Sequence, residues 1–166
     1  MARMPMTEPV DLAPARERAD LVADLAGFPA ETERLLAGVT AEGLRKPASG
    51  GGWGVVEVLS HLLDWEEIIL QRIRTTIDED CPDLPAFDGA LWDIERDYRS
   101  RDPRAVLERF AATRGALATL LAGIQDDAWE RVGVHAVHGP VTVEWMARHL
   151  RDHSREHLDQ IRDALA

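Results

Sequence analysis

Apolar residues recur every three or four positions along most of this chain, the period of a helix with one buried face. From about Pro14 to Gly38 the stripe is Leu21, Val22, Leu25, Phe28, Leu35 and Leu36. Pro29 falls inside it and is expected to kink or divide that helix, because proline has no amide hydrogen and crowds the preceding turn. Val39 to Lys46 reads as one short helical turn anchored by Leu44, and the Gly-rich run Ala48–Gly52 as a loop. That loop lacks the Gly-Lys-Ser/Thr ending of a phosphate loop and follows no strand.

A second long helix spans roughly Gly54 to Ile77, burying Val55, Val58, Leu59, Leu62, Ile69 and Ile73, with Glu66, Glu67, Arg72 and Arg74 outside. Asp78 to Asp88 is acidic and holds two prolines, so it reads as loop. Trp92 to Tyr98 is expected to form a short helix whose rings pack across a bundle end. Asp102-Pro103 is an N-cap followed by proline at the first helical position. The third helix continues to about Gly123 on Val106, Leu107, Phe110, Leu117, Leu120 and Leu121. Gln125 to Pro140 reads as a connection anchored by Trp129. Thr142 then caps a fourth helix whose apolar face is Val143, Met146, Leu150, Ile161 and Leu165.

No stretch alternates with period two for long enough to make a strand, and no repeat is visible. The pattern predicts an all-α, up-down four-helix bundle with short extra helices in the connections. It forms a single domain over residues 1–166, with 1–12 as a flexible leading segment.

Composition narrows the partners. The net charge is −11 and no cluster of Lys or Arg is apparent, which argues against nucleic acid and against anionic membranes. The opening residues have no apolar core of a secretory signal, and no stretch is long enough to span a bilayer. The lone cysteine, Cys81, excludes an intrachain disulfide and has no basic neighbour to activate it. A cytoplasmic protein acting on a small molecule or another protein is the expectation.

Histidine supplies the candidate chemistry. Three of the six, His149, His153 and His157, stand at i, i+4 and i+8 in the last helix. Imidazoles four residues apart share a helix face and can reach one metal ion. Two ligands hold an ion poorly, so a third is needed. His61 is the best candidate, since it sits among the apolar positions of the second helix and should point partly inward. Spacing alone leaves open which adjacent pair of the last helix would bind.

Several runs together resemble the DinB/YfiT-like family of bacterial metal-binding four-helix bundles. They are Gly51-Gly52-Trp53, the run Glu57 to Glu66, Gly139-Pro140-Val141-Thr142-Val143-Glu144, and Asp152-His153-x3-His157-Leu158-x-Gln160-Ile161. The resemblance covers nearly the whole chain in order and spacing. It implies a divalent metal, nickel or zinc, held by His61, His153 and His157, and a homodimer. It also implies either transfer chemistry with a low-molecular-weight thiol of the mycothiol or bacillithiol type, slightly favoured, or metal-dependent hydrolysis. Gly54 departs from the family, where many members carry Ser as the helix cap.

Three neutral imidazoles leave a coordination position open, as catalytic zinc sites do. Glu57, Asp64 and Asp152 lie near the ligands in sequence and are candidates to orient them. His149 is expected to be supporting or partly exposed. His135 and His138 are expected in a loop that could overhang the site. Trp53, Trp65 and Trp145 are expected to pack the core. The alternatives to an enzyme are a non-catalytic metal-binding protein of sensing, storage or stress response, and a plain bundle with incidental histidines.

Overall fold

The computed structural model describes residues 13–166, so the expectation for 1–12 lies outside the described residues. Four long helices carry the fold: α1 (Ala13–Leu36), α3 (Val55–Asp78), α5 (Pro103–Gly123) and α7 (Val143–Leu165). Short helices α2 (Ala41–Arg45), α4 (Trp92–Glu95) and α6 (Asp126–Trp129) occupy the connections. The all-α four-helix bundle expected from the periodicity is the observed architecture.

The long helices pack in a ring in which α1 and α3 each lie against both α5 and α7. Helices consecutive in sequence, α1 with α3 and α5 with α7, therefore sit across diagonals. Short loops force consecutive helices to be neighbours. Here the intervening segments 37–54, 79–102 and 124–142 are long enough to cross an end of the bundle. Two apolar clusters fill the interior, one around Leu25, Ile73, Leu117 and Leu150, the other around Phe28, Leu59, Phe110 and Ile161.

Two segments read as loop contain a small sheet instead. Strands β1 (Asp83–Leu84), β2 (Val132–His135) and β3 (Gly139–Thr142) form it, with β1 parallel and β3 antiparallel to β2. The strand signal is absent from the sequence because the buried face of β2 carries Gly133 and His135, not an apolar pair. Gly133 gives its neighbours room: a Cβ there would lie 2.7 Å from Leu84 Cδ1 and 2.9 Å from Thr76 Oγ1, so these buried side chains would have to shift.

Pro29 neither divides α1 nor leaves its missing bond unanswered. Proline at this position deprives the Leu25 carbonyl of its helical donor. Arg114 Nη1, reaching in from α5, donates to that carbonyl at 3.4 Å. Arg114 is wholly buried and its Nε and Nη2 donate to the Glu66 carboxylate, each at 2.7 Å. Glu66 and Arg72, both expected on the solvent side of α3, are thus buried; the helix is enclosed on more than one face. Gly54 is likewise more than a tolerated cap. A Cβ there would stand 2.3 Å from the Lys46 carbonyl oxygen, so the close approach of the Lys46 backbone excludes Ser.

Candidate metal centre

The seam between α3 and α7 brings three histidines together. His61 comes from α3, His153 and His157 from successive turns of α7. The N-terminus of α7 is set by Thr142, whose Oγ1 accepts from the Trp145 amide at 3.0 Å. That of α3 is set by Glu57, whose Oε2 accepts from the Gly54 amide at 2.8 Å. Between these fixed ends the i, i+4 spacing stacks the two α7 imidazoles against His61.

The nitrogens face one another. His153 Nε2 lies 3.1 Å from His157 Nε2 and 3.3 Å from His61 Nε2. One donor atom from each of the three residues lies within 4.8 Å of the other two. His157 Nδ1 is 2.7 Å from Gln160 Oε1. A carboxamide oxygen only accepts, so the ring donates through Nδ1–H and its Nε2 keeps a bare lone pair when neutral. The Nδ1 atoms of His61 and His153 are buried and hydrogen-bond nothing.

Burial biases all three rings toward the neutral form. Burial lowers the pKa of His61 to about 4 and that of His153 to about 3, with the neighbouring histidines adding to both shifts. Burial lowers His157 as well, against an opposing contribution from Gln160. Aromatic rings line the cluster. Trp53 lies 5.2 Å from His61 and Trp65 lies 5.7 Å from His153, centroid to centroid.

The carboxylates near the histidines in sequence have other duties. Asp64 is buried and accepts from Arg96 at 2.7 Å, Tyr98 at 2.9 Å and Arg101 at 3.0 Å. Burial alone would raise its pKa, but the hydrogen bonds from Arg101, Arg96 and Tyr98 hold it below the usual carboxylate range. Glu57 caps α3 and accepts from Arg99 at 2.9 Å. Asp152 is exposed and pairs with Arg151. The group that does orient a histidine is Gln160. Its position three residues after His157 was the available sign, since such residues are neighbours on a helix.

The other histidines gather elsewhere. His149 is exposed and stacks on Trp145 at 4.9 Å with the planes only 5° apart. Trp145, expected in the core, is 38% exposed because its side chain leaves the bundle toward the β2–β3 turn. His138 of that turn lies 5.3 Å from Trp145 and 6.3 Å from His149. His135 Nδ1 accepts from the amides of Val137 and His138, so this histidine organises the turn.

Comparison with known proteins agrees with this architecture. A protein of Oceanobacillus iheyensis is 23% identical over 125 residues, 75% of this chain and 72% of its own. One of Geobacillus thermodenitrificans is 28% identical over 124 residues, 72% of this chain and 70% of its own. Both carry the name "putative metal-dependent hydrolase". The solved structure of YfiT from Bacillus subtilis superposes with a TM-score of 0.82 at 21% identity, covering 98% of this chain and 91% of that one. It is described as "a probable metal-dependent hydrolase with an unusual four-helix bundle topology", and at that identity the likeness concerns the fold. Residues 24–161 match the profile of the DinB superfamily, most of the described chain, and on that match the chain belongs to the DinB superfamily.

Proposed function

We propose that this protein is a metal-dependent enzyme acting on a small molecule, with His61, His153 and His157 as the ligands of one divalent ion. The observation that carries the reading is the convergence of the three imidazoles, with His153 Nε2 facing the Nε2 atoms of both His61 and His157. A neutral imidazole protonated on Nδ1 offers its Nε2 lone pair, and three rings in that tautomer would direct their lone pairs at one cation. A tetrahedral ion about 2.0–2.1 Å from each imidazole nitrogen sets neighbouring nitrogens about 3.3–3.4 Å apart. The pairs at 3.1 and 3.3 Å are close to that spacing. Zinc and nickel both suit an all-imidazole donor set.

An ion so held, with a coordination position left open, supplies Lewis-acid chemistry at neutral pH. The chain's own residues supply the rest. Burial keeps the imidazoles unprotonated and free to donate. Gln160 fixes the tautomer and ring orientation of His157. Trp53 and Trp65 exclude water from two sides and strengthen every electrostatic interaction inside.

Hydrolysis is placed first, because relatives of this chain carry that name. Transfer of a low-molecular-weight thiol, implied by the family resemblance, would use the same donors and is the second reaction to assay. The test begins with metal content of untagged protein never exposed to a nickel column, beside His153→Ala/His157→Ala. About one equivalent of metal in the wild type, absent from the variant, is expected. Loss of ester or amide hydrolysis in the same variant would then tie the reaction to the metal. Failure of the wild type to take up zinc or nickel would end the enzymatic reading.

A further inference from the structure

One helical turn from the triad, along the same α3–α7 seam, lies a cavity of about 150 Å³. The seam runs antiparallel, so Trp65 follows His61 by a turn on α3 while His149 precedes His153 by a turn on α7. Trp65, Arg72, Phe87, His135, Trp145 and His149 contribute to its walls. No Asp or Glu lines it among the described residues, although the chain as a whole carries a net charge of −11.

Arg72 is the unusual member. It is 6% exposed, and its guanidinium carbon lies 5.6 Å from the ring centroids of both Trp65 and Phe87. Nη2 donates to the Pro85 carbonyl at 2.5 Å, whereas Nε has no partner. Among the described residues no carboxylate pairs with it. Trp65 Nε1, on the same wall, is also buried without an acceptor. A buried charge without a counter-ion is among the most unfavourable arrangements in a protein interior. The same molecule shows the remedy at Arg114, which is more deeply buried and paired with Glu66 on two edges.

We propose that this cavity binds a small planar carboxylate, its acid group on the Arg72 guanidinium and its flat body among the rings of Trp65, Phe87 and Trp145. The planar guanidinium fork matches a carboxylate edge, and the aromatic walls match an apolar plane. An engineered cavity of about 150 Å³ holds one benzene. The pocket thus takes an aromatic acid of that order of size, or the acidic end of a longer molecule. Its place beside the triad makes it the seat of the substrate's acid group, a step that rests on the metal reading above. Binding of the acid itself does not. From His61 to Arg72 the helix axis rises about 16 Å, so a molecule reaching both is elongated, and a short acid reports on the anchor alone.

The test is a titration of the full chain with benzoate, benzamide and inorganic phosphate. It is followed by tryptophan fluorescence and calorimetry, on chelator-stripped and on zinc-loaded protein. Saturable benzoate binding is expected, with benzamide and phosphate at least tenfold weaker. Arg72→Gln should weaken benzoate at least tenfold. Should that variant fold poorly, Ala86→Trp serves instead. Ala86 is an exposed loop residue at the cavity wall, so the larger ring should block entry and leave the circular dichroism unchanged. Equal binding of benzoate and benzamide would overturn the proposal. So would no benzoate binding, or undiminished binding by a folded Arg72→Gln. Benzoate binding without any metal uptake would leave the pocket standing and remove the metal reading. Zinc uptake without benzoate binding would do the reverse.

Discussion

Two polar clusters join α3 to the helices around it, a turn or so apart, and they are built on opposite terms. In the first, Glu66, Arg114 and Ser154 are wholly buried and complementary. Arg114 donates to both carboxylate oxygens and, at 2.8 Å, to Ser154 Oγ, and that hydroxyl donates to the Leu150 carbonyl at 2.8 Å. In the second, His61, His153 and His157 are half-buried, and like faces like, nitrogen toward nitrogen. A cluster that closes on itself leaves nothing for a ligand to satisfy, and its consequence is stability. A cluster in which ring nitrogens converge without a complementary partner has room for a ligand, and on the reading proposed above its consequence is binding.

The largest effect should come from opening the closed cluster. Arg114→Met would strand the Glu66 carboxylate in the core and remove the donor to Leu25. Breaking a buried ion pair from one side is destabilising by about 3–5 kcal/mol. Urea unfolding should show a loss of that order, and Arg114→Met/Glu66→Leu should recover most of it, because no unpaired charge then remains. His153→Ala/His157→Ala, measured without metal, should lose much less. Equal losses from the two clusters would abolish the distinction between them.

How much of this was legible follows the same division. The four helices were visible because each depends on a period, whereas the choice of His61, His153 and His157 rested on the family resemblance. Apolar stripes mark buried faces, and the i, i+4 repeat places His149, His153 and His157 on one face of α7 without saying which two meet His61. Glu66 and Arg114 were invisible, since a charge on a helix reads as solvent-facing unless its partner is known, and the partner lies on another helix. The β2 strand was invisible because Gly133 and His135 occupy its buried face. Asp64 was singled out for its nearness to His61, yet its oxygens turn toward Arg96, Tyr98 and Arg101. Nearness in sequence gives the helix, and only the rotation about its axis gives the contact.

The next effect sharpens the open cluster. Zinc present at a hundred times its dissociation constant should stabilise the protein by about 2.7 kcal/mol, since only the folded chain presents the three donors together. Chelation should lower the melting temperature accordingly, and His153→Ala/His157→Ala should show neither the gain nor the loss. Arg114→Met, if still folded, should retain the zinc-dependent increment, because its cluster takes no part in binding. A wild-type melt indifferent to metal removal would mean that the triad holds nothing.

The smallest effect concerns the hydrogen bond from His157 to Gln160. Gln160 accepts from His157 Nδ1–H and so leaves Nε2 free to donate. Replacing such a supporting partner typically lowers metal affinity about 10- to 100-fold. Gln160→Leu should weaken zinc binding by that factor while leaving the stability of the metal-free protein nearly unchanged, because Gln160 is only partly buried. Gln160→Glu restores an acceptor at the same reach and should restore affinity. Were Leu and Glu equally harmful, the hydrogen bond would be incidental, and the orientation of His157 would have to come from the packing of α7 against α3 alone.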